Sequence, residues 1–198
     1  VHVADHLVAT LKPADQRSLQ NPEPLDPVLL RTPAPASSTH SGIVIHPGSG
    51  SPRKNWPTQH FAAVARTLAA KGQPLAVLCG PADEAVLETL AAEMGDDLPQ
   101  VVTPSGLPAL AEVLVGSRLL IGNDSGVSHL SARLAVPTVA IFGVTDPRRW
   151  APRGPRVEVV GGAGRWPSAA DVLAAVERIA PGSVSAAGAP LEQDARRE

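Results

Sequence analysis

The sequence predicts an α/β domain built on a doubly wound parallel sheet, running from about residue 42 to 182. Three observations predict it. Short apolar runs alternate with longer stretches of helical period. The short runs are continuously apolar, as strands are when both faces of a parallel sheet are covered by helices. The two least ordinary loops follow the first and the fourth strand, between which such a sheet reverses direction.

The first strand is Gly42–His46, β-branched and too short for a helix. Thr58–Lys71 carries Phe61, Val64, Ala65 and Leu68 on one helical face, with Gly72 where a helix end favours glycine. Leu75–Cys79 is the second strand. The helix Asp83–Met94 turns Val86, Leu87, Leu90 and Ala91 inward and stops at Gly95. Gln100–Val102 makes a weak third strand and Leu107–Val115 a third helix. Arg118–Gly122 is the fourth strand, Gly126–Leu134 a short helix and Thr138–Gly143 the fifth strand. Val157–Val160 is the candidate sixth, before a last helix at Ser168–Ala180.

Outside this block, residues 1–12 place Val3, Leu7, Val8 and Leu11 at helical spacing, and residues 13–41 form a Pro-rich linker. Residues 183–198 read as a disordered tail of Ala, Gly and charge. The chain opens on Val1, which is expected either of a fragment or of a valine start codon.

Composition narrows the function. Net charge is −2 from 17 basic and 19 acidic side chains, so no global field draws nucleic acid or an anionic membrane. Any anion must be held by local geometry. Cys79 is the only cysteine, which excludes an intramolecular disulfide and a cysteine-based metal cluster. His40, His46, His60 and His129 lack metal-ligand spacing, so no metal and no other cofactor is expected. Walker A and G-x-G-x-x-G patterns are both missing. Neither a membrane-spanning run nor a signal segment is visible, and a cytoplasmic protein is expected.

The loop from His46 to Pro57 is long for a strand-to-helix connection. Gly48 and Gly50 allow a ligand close to the backbone. Ser49 and Ser51 offer hydroxyls, and Arg53 and Lys54 offer positive charge. The loop suits a phosphate, although a surface turn with solvated basic residues would look similar. The loop from Gly122 to His129 offers Asp124 or Ser125 as an N-cap, ahead of a helix start with unpaired amides. A carboxylate at Asp124 would repel a phosphate unless it caps the helix or meets a sugar hydroxyl. A lone D-S-G is no more than a capped helix, but two anion-compatible loops at one switch point favour a diphosphate. His129 is open to three readings: touching a phosphate, holding the loop, or packing. Asp83 or Glu84 could accept from ribose hydroxyls, or could merely be the acidic residue that a helix start favours.

Taken together, His46-Pro-Gly-Ser to Lys54-Asn-Trp-Pro57, Cys79-Gly-Pro-Ala-Asp-Glu84, Gly122-Asn-Asp-Ser-Gly-Val-Ser-His-Leu130 and Val136 to Pro147 resemble glycosyltransferase family 9, which includes the lipopolysaccharide heptosyltransferases. The resemblance covers roughly residues 43–155. It implies the C-terminal, nucleotide-sugar-binding half of a GT-B fold, a Rossmann-like domain. It implies that Ser49 and Lys54 contact the donor phosphates and that Glu84 holds the ribose. Asp124, Ser125 and Gly126 would line the diphosphate and donor-sugar site, with His129 beside them. The reaction implied is inverting, metal-free transfer of a heptose from ADP-heptose to a lipid-linked sugar acceptor. The whole enzyme would meet the inner membrane only peripherally, through that acceptor.

The general base of the family lies in an N-terminal domain, of which residues 1–12 resemble only the final helix. No catalytic residue is therefore assigned to this chain. The competing expectations are another GT-B enzyme, such as a nucleotide-sugar epimerase, or a truncated, non-catalytic nucleotide-sugar-binding module. Arg148, Arg149 and Trp150 after the fifth strand are taken as solvated rim.

Overall fold

A computed structural model describes residues 42–162 and 164–184; the expected helix at 1–12 and linker at 13–41 lie outside the described residues. The apolar runs form six strands: β1 (Ile43–His46), β2 (Leu75–Leu78), β3 (Gln100–Val102), β4 (Leu119–Asn123), β5 (Thr138–Phe142) and β6 (Val157–Gly161). They make one all-parallel sheet in the order β3-β2-β1-β4-β5-β6, so the chain reverses its direction of travel between β1 and β4. In that register His46 lies opposite Gly122, and the loops that follow the two strands leave the sheet side by side.

Continuous apolarity has the consequence expected of it. On β1, Ile43 and Ile45 enter one core and Val44 the other, all three essentially without solvent exposure. The larger core is covered by α1 (Thr58–Ala70), α2 (Glu84–Met94) and α6 (Ala169–Ile179). Phe61, Val64, Ala65 and Leu68 of α1 are buried there, as their spacing predicts. The smaller core is covered by α3 (Leu107–Val115) and α4 (Gly126–Arg133).

Element ends move by a residue or so from their expected places, as helix and strand termini do. On α2 the buried residues are Leu90 and Met94, while Val86, Leu87 and Ala91 are only half-buried, so its inward face lies nearer its C-terminus than the spacing suggested. Two short elements were not expected: a 3-10 turn at Pro52–Lys54 and α5 (Pro147–Trp150). Both begin with proline, whose fixed φ and missing N–H suit a first helical position. Ser183 and Val184, expected in the tail, are instead held in place: Ser183 is buried, and the Val184 N–H donates to Glu177 at 2.9 Å. Among the described residues no helix is long and apolar enough to cross a membrane.

Candidate functional site

The long first loop is anchored at its far end by Trp56, which has no solvent exposure. Its indole N–H donates to the Pro167 carbonyl at 3.0 Å, and its ring meets Phe61 edge-on with centroids 4.9 Å apart. The near end is held by Asn123, the last residue of β4 and also fully buried. Asn123 accepts from the Trp56 N–H at 2.9 Å and donates to the carbonyls of Pro47 at 2.7 Å and Gly48 at 3.2 Å. One side-chain amide therefore fastens the second loop to the first. A buried polar residue ending an apolar run must find partners; that signal was available in LLIGN.

Between these anchors Ser49 serves its own loop. Its Oγ lies 2.6 Å from both the Ser51 carbonyl and Asn55 Oδ1. One hydroxyl proton can serve only one of them, so the second contact requires the Asn55 amide to be turned with its NH2 toward Ser49. Gly48 also differs from its expected use. An added Cβ would fall 1.8 Å from Asp83 Oδ1, so the space beside Gly48 is taken by a carboxylate rather than kept for a ligand. Gly50, with nothing within 4 Å of such a Cβ, faces open space.

The two loops also meet through charge. Lys54 Nζ lies 3.4 Å from Asp124 Oδ2, and the same oxygen accepts from Thr145 Oγ1 at 2.9 Å. The Asp124 charge is thus offset by Lys54 from the facing loop. Thr145, on the turn after β5, was not singled out in the sequence.

Ser125 caps α4: its backbone is extended, and its Oγ accepts from the Ser128 N–H at 3.5 Å. Gly126, the first helical residue, is exposed, with nothing within 4 Å of an added Cβ. The helix start thus faces open space with its free amides and partial positive charge. His129 lies half-buried on the next turn, its N–H donating to the Ser125 carbonyl at 3.3 Å.

Asp83 and Glu84 differ in orientation. Asp83 is buried, and its Oδ2 accepts from the Gly80 N–H at 2.8 Å and lies 3.1 Å from His46 Nε2. Burial acts to raise the Asp83 carboxyl, but the hydrogen bonds from His46 and Gly80 outweigh it and hold the group below its ordinary value. Glu84 is exposed at the first position of α2 and remains the acidic residue open to a ligand. On its other side His46 presents Nδ1 to Ser125 Oγ at 3.5 Å. In the sequence His46 opens the long first loop, and its pairing with Asp83 is not visible there. Among the described residues no group of three or more His, Cys, Asp or Glu is placed to hold a metal ion.

Beside this chain of contacts lies a pocket of about 200 Å³, lined by His46, Leu78, Cys79, Gly80, Pro81, Asp83, Pro104, Gly106, Leu110 and Val127. It opens at the carboxyl ends of β1, β2 and β3, is mostly apolar, and has Glu84 next in sequence to its rim. Arg148, Arg149 and Trp150 are exposed on α5, with the Arg149 guanidinium 5.5 Å from the Trp150 ring centroid.

Fold and site together define a doubly wound α/β domain whose two long loops meet at the switch point. The chain belongs to glycosyltransferase family 9 (heptosyltransferase), which it matches over residues 10–175. It is 25% identical over 113 residues to lipooligosaccharide heptosyltransferase 2 of Haemophilus influenzae, covering 55% of this chain and 33% of that protein. It is 32% identical over 94 residues to lipopolysaccharide heptosyltransferase 1 of Escherichia coli K12, covering 48% of this chain and 29% of that protein. Among solved structures, it resembles the E. coli heptosyltransferase WaaC with ADP at TM-score 0.61 and 27% identity, over 73% of this chain and 46% of that one. E. coli ADP-heptose heptosyltransferase II shares the fold at TM-score 0.64 and 22% identity, over 72% and 47%. The matches with the two curated relatives thus span about a third of those proteins' length.

Proposed function

We propose that this chain holds the nucleotide diphosphate of a sugar donor, with ADP-heptose the expected donor, for an inverting transferase acting on a lipopolysaccharide-type acceptor. The observation that carries the reading is the meeting of Lys54 and Asp124 at 3.4 Å across the β1/β4 switch point. Two anion-compatible loops that touch can grip one diphosphate; two loops that diverge could not. Family membership and the names of the relatives support the sugar and the acceptor class.

In this reading the Lys54 ammonium turns from Asp124 to the phosphates, and the α4 start at Ser125 and Gly126 meets them with backbone amides. Asp124 accepts from a donor-sugar hydroxyl, and His129 borders the same space. Glu84 accepts from the ribose, and the base enters the apolar pocket between Leu78, Pro104, Leu110 and Val127. Ser49 acts by keeping the first loop in shape. In an inverting transfer the acceptor oxygen attacks the anomeric carbon opposite the diphosphate. The new C–O bond forms as the bond to the diphosphate breaks, a base takes the acceptor proton, and positive groups stabilise the leaving group. Lys54 and the α4 amides suit that last task without a metal. The base is not assigned to this chain, which on this reading binds the nucleotide diphosphate of the donor. The protein would work in the cytoplasm, meeting its lipid-linked acceptor at the inner membrane surface.

Titration calorimetry with ADP, UDP, GDP and CDP tests the reading. ADP binding is expected, tighter than that of the other three. Failure of all four to bind at millimolar concentration would remove the donor-site assignment.

A further inference from the structure

The side-chain contacts Asp83–His46–Ser125 have no part in the roles proposed above, in which Ser125 acts through its backbone amide and as the α4 cap. They cross three loops: Asp83 Oδ2 lies 3.1 Å from His46 Nε2, and His46 Nδ1 lies 3.5 Å from Ser125 Oγ. All three residues are buried. An acceptor-only carboxylate beside Nε2 requires a proton on that nitrogen. In the neutral ring Nδ1 is then an acceptor, and the single Ser125 proton points to it. Ser125 Oγ also accepts from the Ser128 N–H, so its proton has only that one partner.

We propose that His46 is a positioning residue that decides where the Ser125 hydroxyl points. Neutral, it draws the Ser125 proton to its own Nδ1. Protonated, it donates to Ser125 Oγ instead, and the Ser125 O–H is turned out toward a phosphate oxygen at the α4 start. The 3.5 Å contact is long, so exchanging it for a charge-assisted bond to phosphate sacrifices little. An anion bound there would in turn favour the imidazolium, and ligand binding would take up a proton. The inference rests on the proposed diphosphate site.

Several titratable groups sit on the elements packed around the ring. Asp83 and Glu84 begin α2 and Cys79 follows β2. Asp124 and His129 flank the α4 start, and Lys54 faces them from the first loop. Asp83 touches the ring at Nε2. Lys54 is itself paired with Asp124.

The test is calorimetry of the full chain with ADP at pH 7.5, in buffers of different ionisation enthalpy. A terminal phosphate titrates near pH ~6, so at pH 7.5 proton uptake belongs to the protein. Uptake of up to about one proton per ADP is expected, and none in His46→Gln. In parallel, the imidazole nitrogens of His46 are followed by NMR in the unaltered protein, so the result does not depend on the variant folding. Nδ1 should move from the unprotonated to the protonated position as ADP is added. ADP binding without proton uptake would overturn the proposal while leaving the donor site intact. Uptake unchanged in His46→Gln, or an Nδ1 already protonated in free protein, would do the same. No ADP binding at all would remove both.

Discussion

Lys54 and Asp124, 70 residues apart in the chain, close an ion pair of 3.4 Å between the two loops of the switch point. Asp124 is nearly buried and Lys54 is partly exposed, so the lysine is the partner free to leave. Lys54→Ala should weaken ADP binding by about 1.5–3 kcal/mol, the range for a hydrogen bond to a charged group. Part of that loss comes from an Asp124 charge left uncompensated beside the phosphates. Adding Asp124→Asn should therefore recover some of it. Calorimetry on the two single variants and the double variant decides; strictly additive losses would mean the two residues do not share the ligand.

Gly126 separates folding from binding. Nothing stands within 4 Å of a Cβ added there, so Gly126→Ala should leave the melting temperature unchanged or slightly raised. The same methyl would stand in the space proposed for a phosphate, and ADP affinity should fall at least tenfold. Unchanged affinity would place the ligand elsewhere.

Asn123 carries three bonds between the loops. Asn123→Ala orphans two carbonyls and an N–H in a buried place, and should cost on the order of 3 kcal/mol in urea unfolding. Loss of well under 1 kcal/mol would mean that water replaces the amide.

How much of this could be read in advance differs between strands and loops. The sheet was legible because its signals are local: IVIH and TVAIF are apolar on both faces, and parallel strands buried on both sides require that. The loops were legible in composition, and Lys54, Asp124 and Ser125 are brought together as their shared location implies. Side-chain direction was not legible. Asp83 and Glu84 are adjacent and alike in chemistry, yet one turns inward to His46 and the other to solvent. That outcome depends on β1 pairing with β2, a long-range fact absent from the local string. The same holds for Gly48, whose neighbour is Asp83, and for Thr145, whose partner Asp124 lies on another strand's loop.

Asp83 carries a pH signature. Its carboxyl is held below the ordinary value, so its contribution to stability is present above the unfolded value of about pH 3.9 and is lost as pH falls through the folded one. Asp83→Asn should be less stable than the original chain by about 1–3 kcal/mol near neutrality. The gap should close as pH drops below about 4. Urea midpoints from pH 7 to pH 2.5 check this, and a gap that does not narrow would show that the charge is unimportant.

Cys79 lines the apolar pocket with little exposure, and burial followed by the charges of Asp83 and Glu84 pushes its thiol up. Its reaction with iodoacetamide at pH 8 should be slower than that of a free thiol, and slower still with ADP bound. Alkylation that ADP does not retard would argue against a nucleotide in that pocket.

The bond from the Trp56 indole to the Pro167 carbonyl spans 111 residues and reaches the segment just before the last helix. The first loop of the switch point is thus braced from the segment ahead of α6. Trimming from the C-terminus through Pro167 would remove that brace together with α6. Such a shortened chain would keep every side chain proposed to meet the donor, and lose the posture in which they face it.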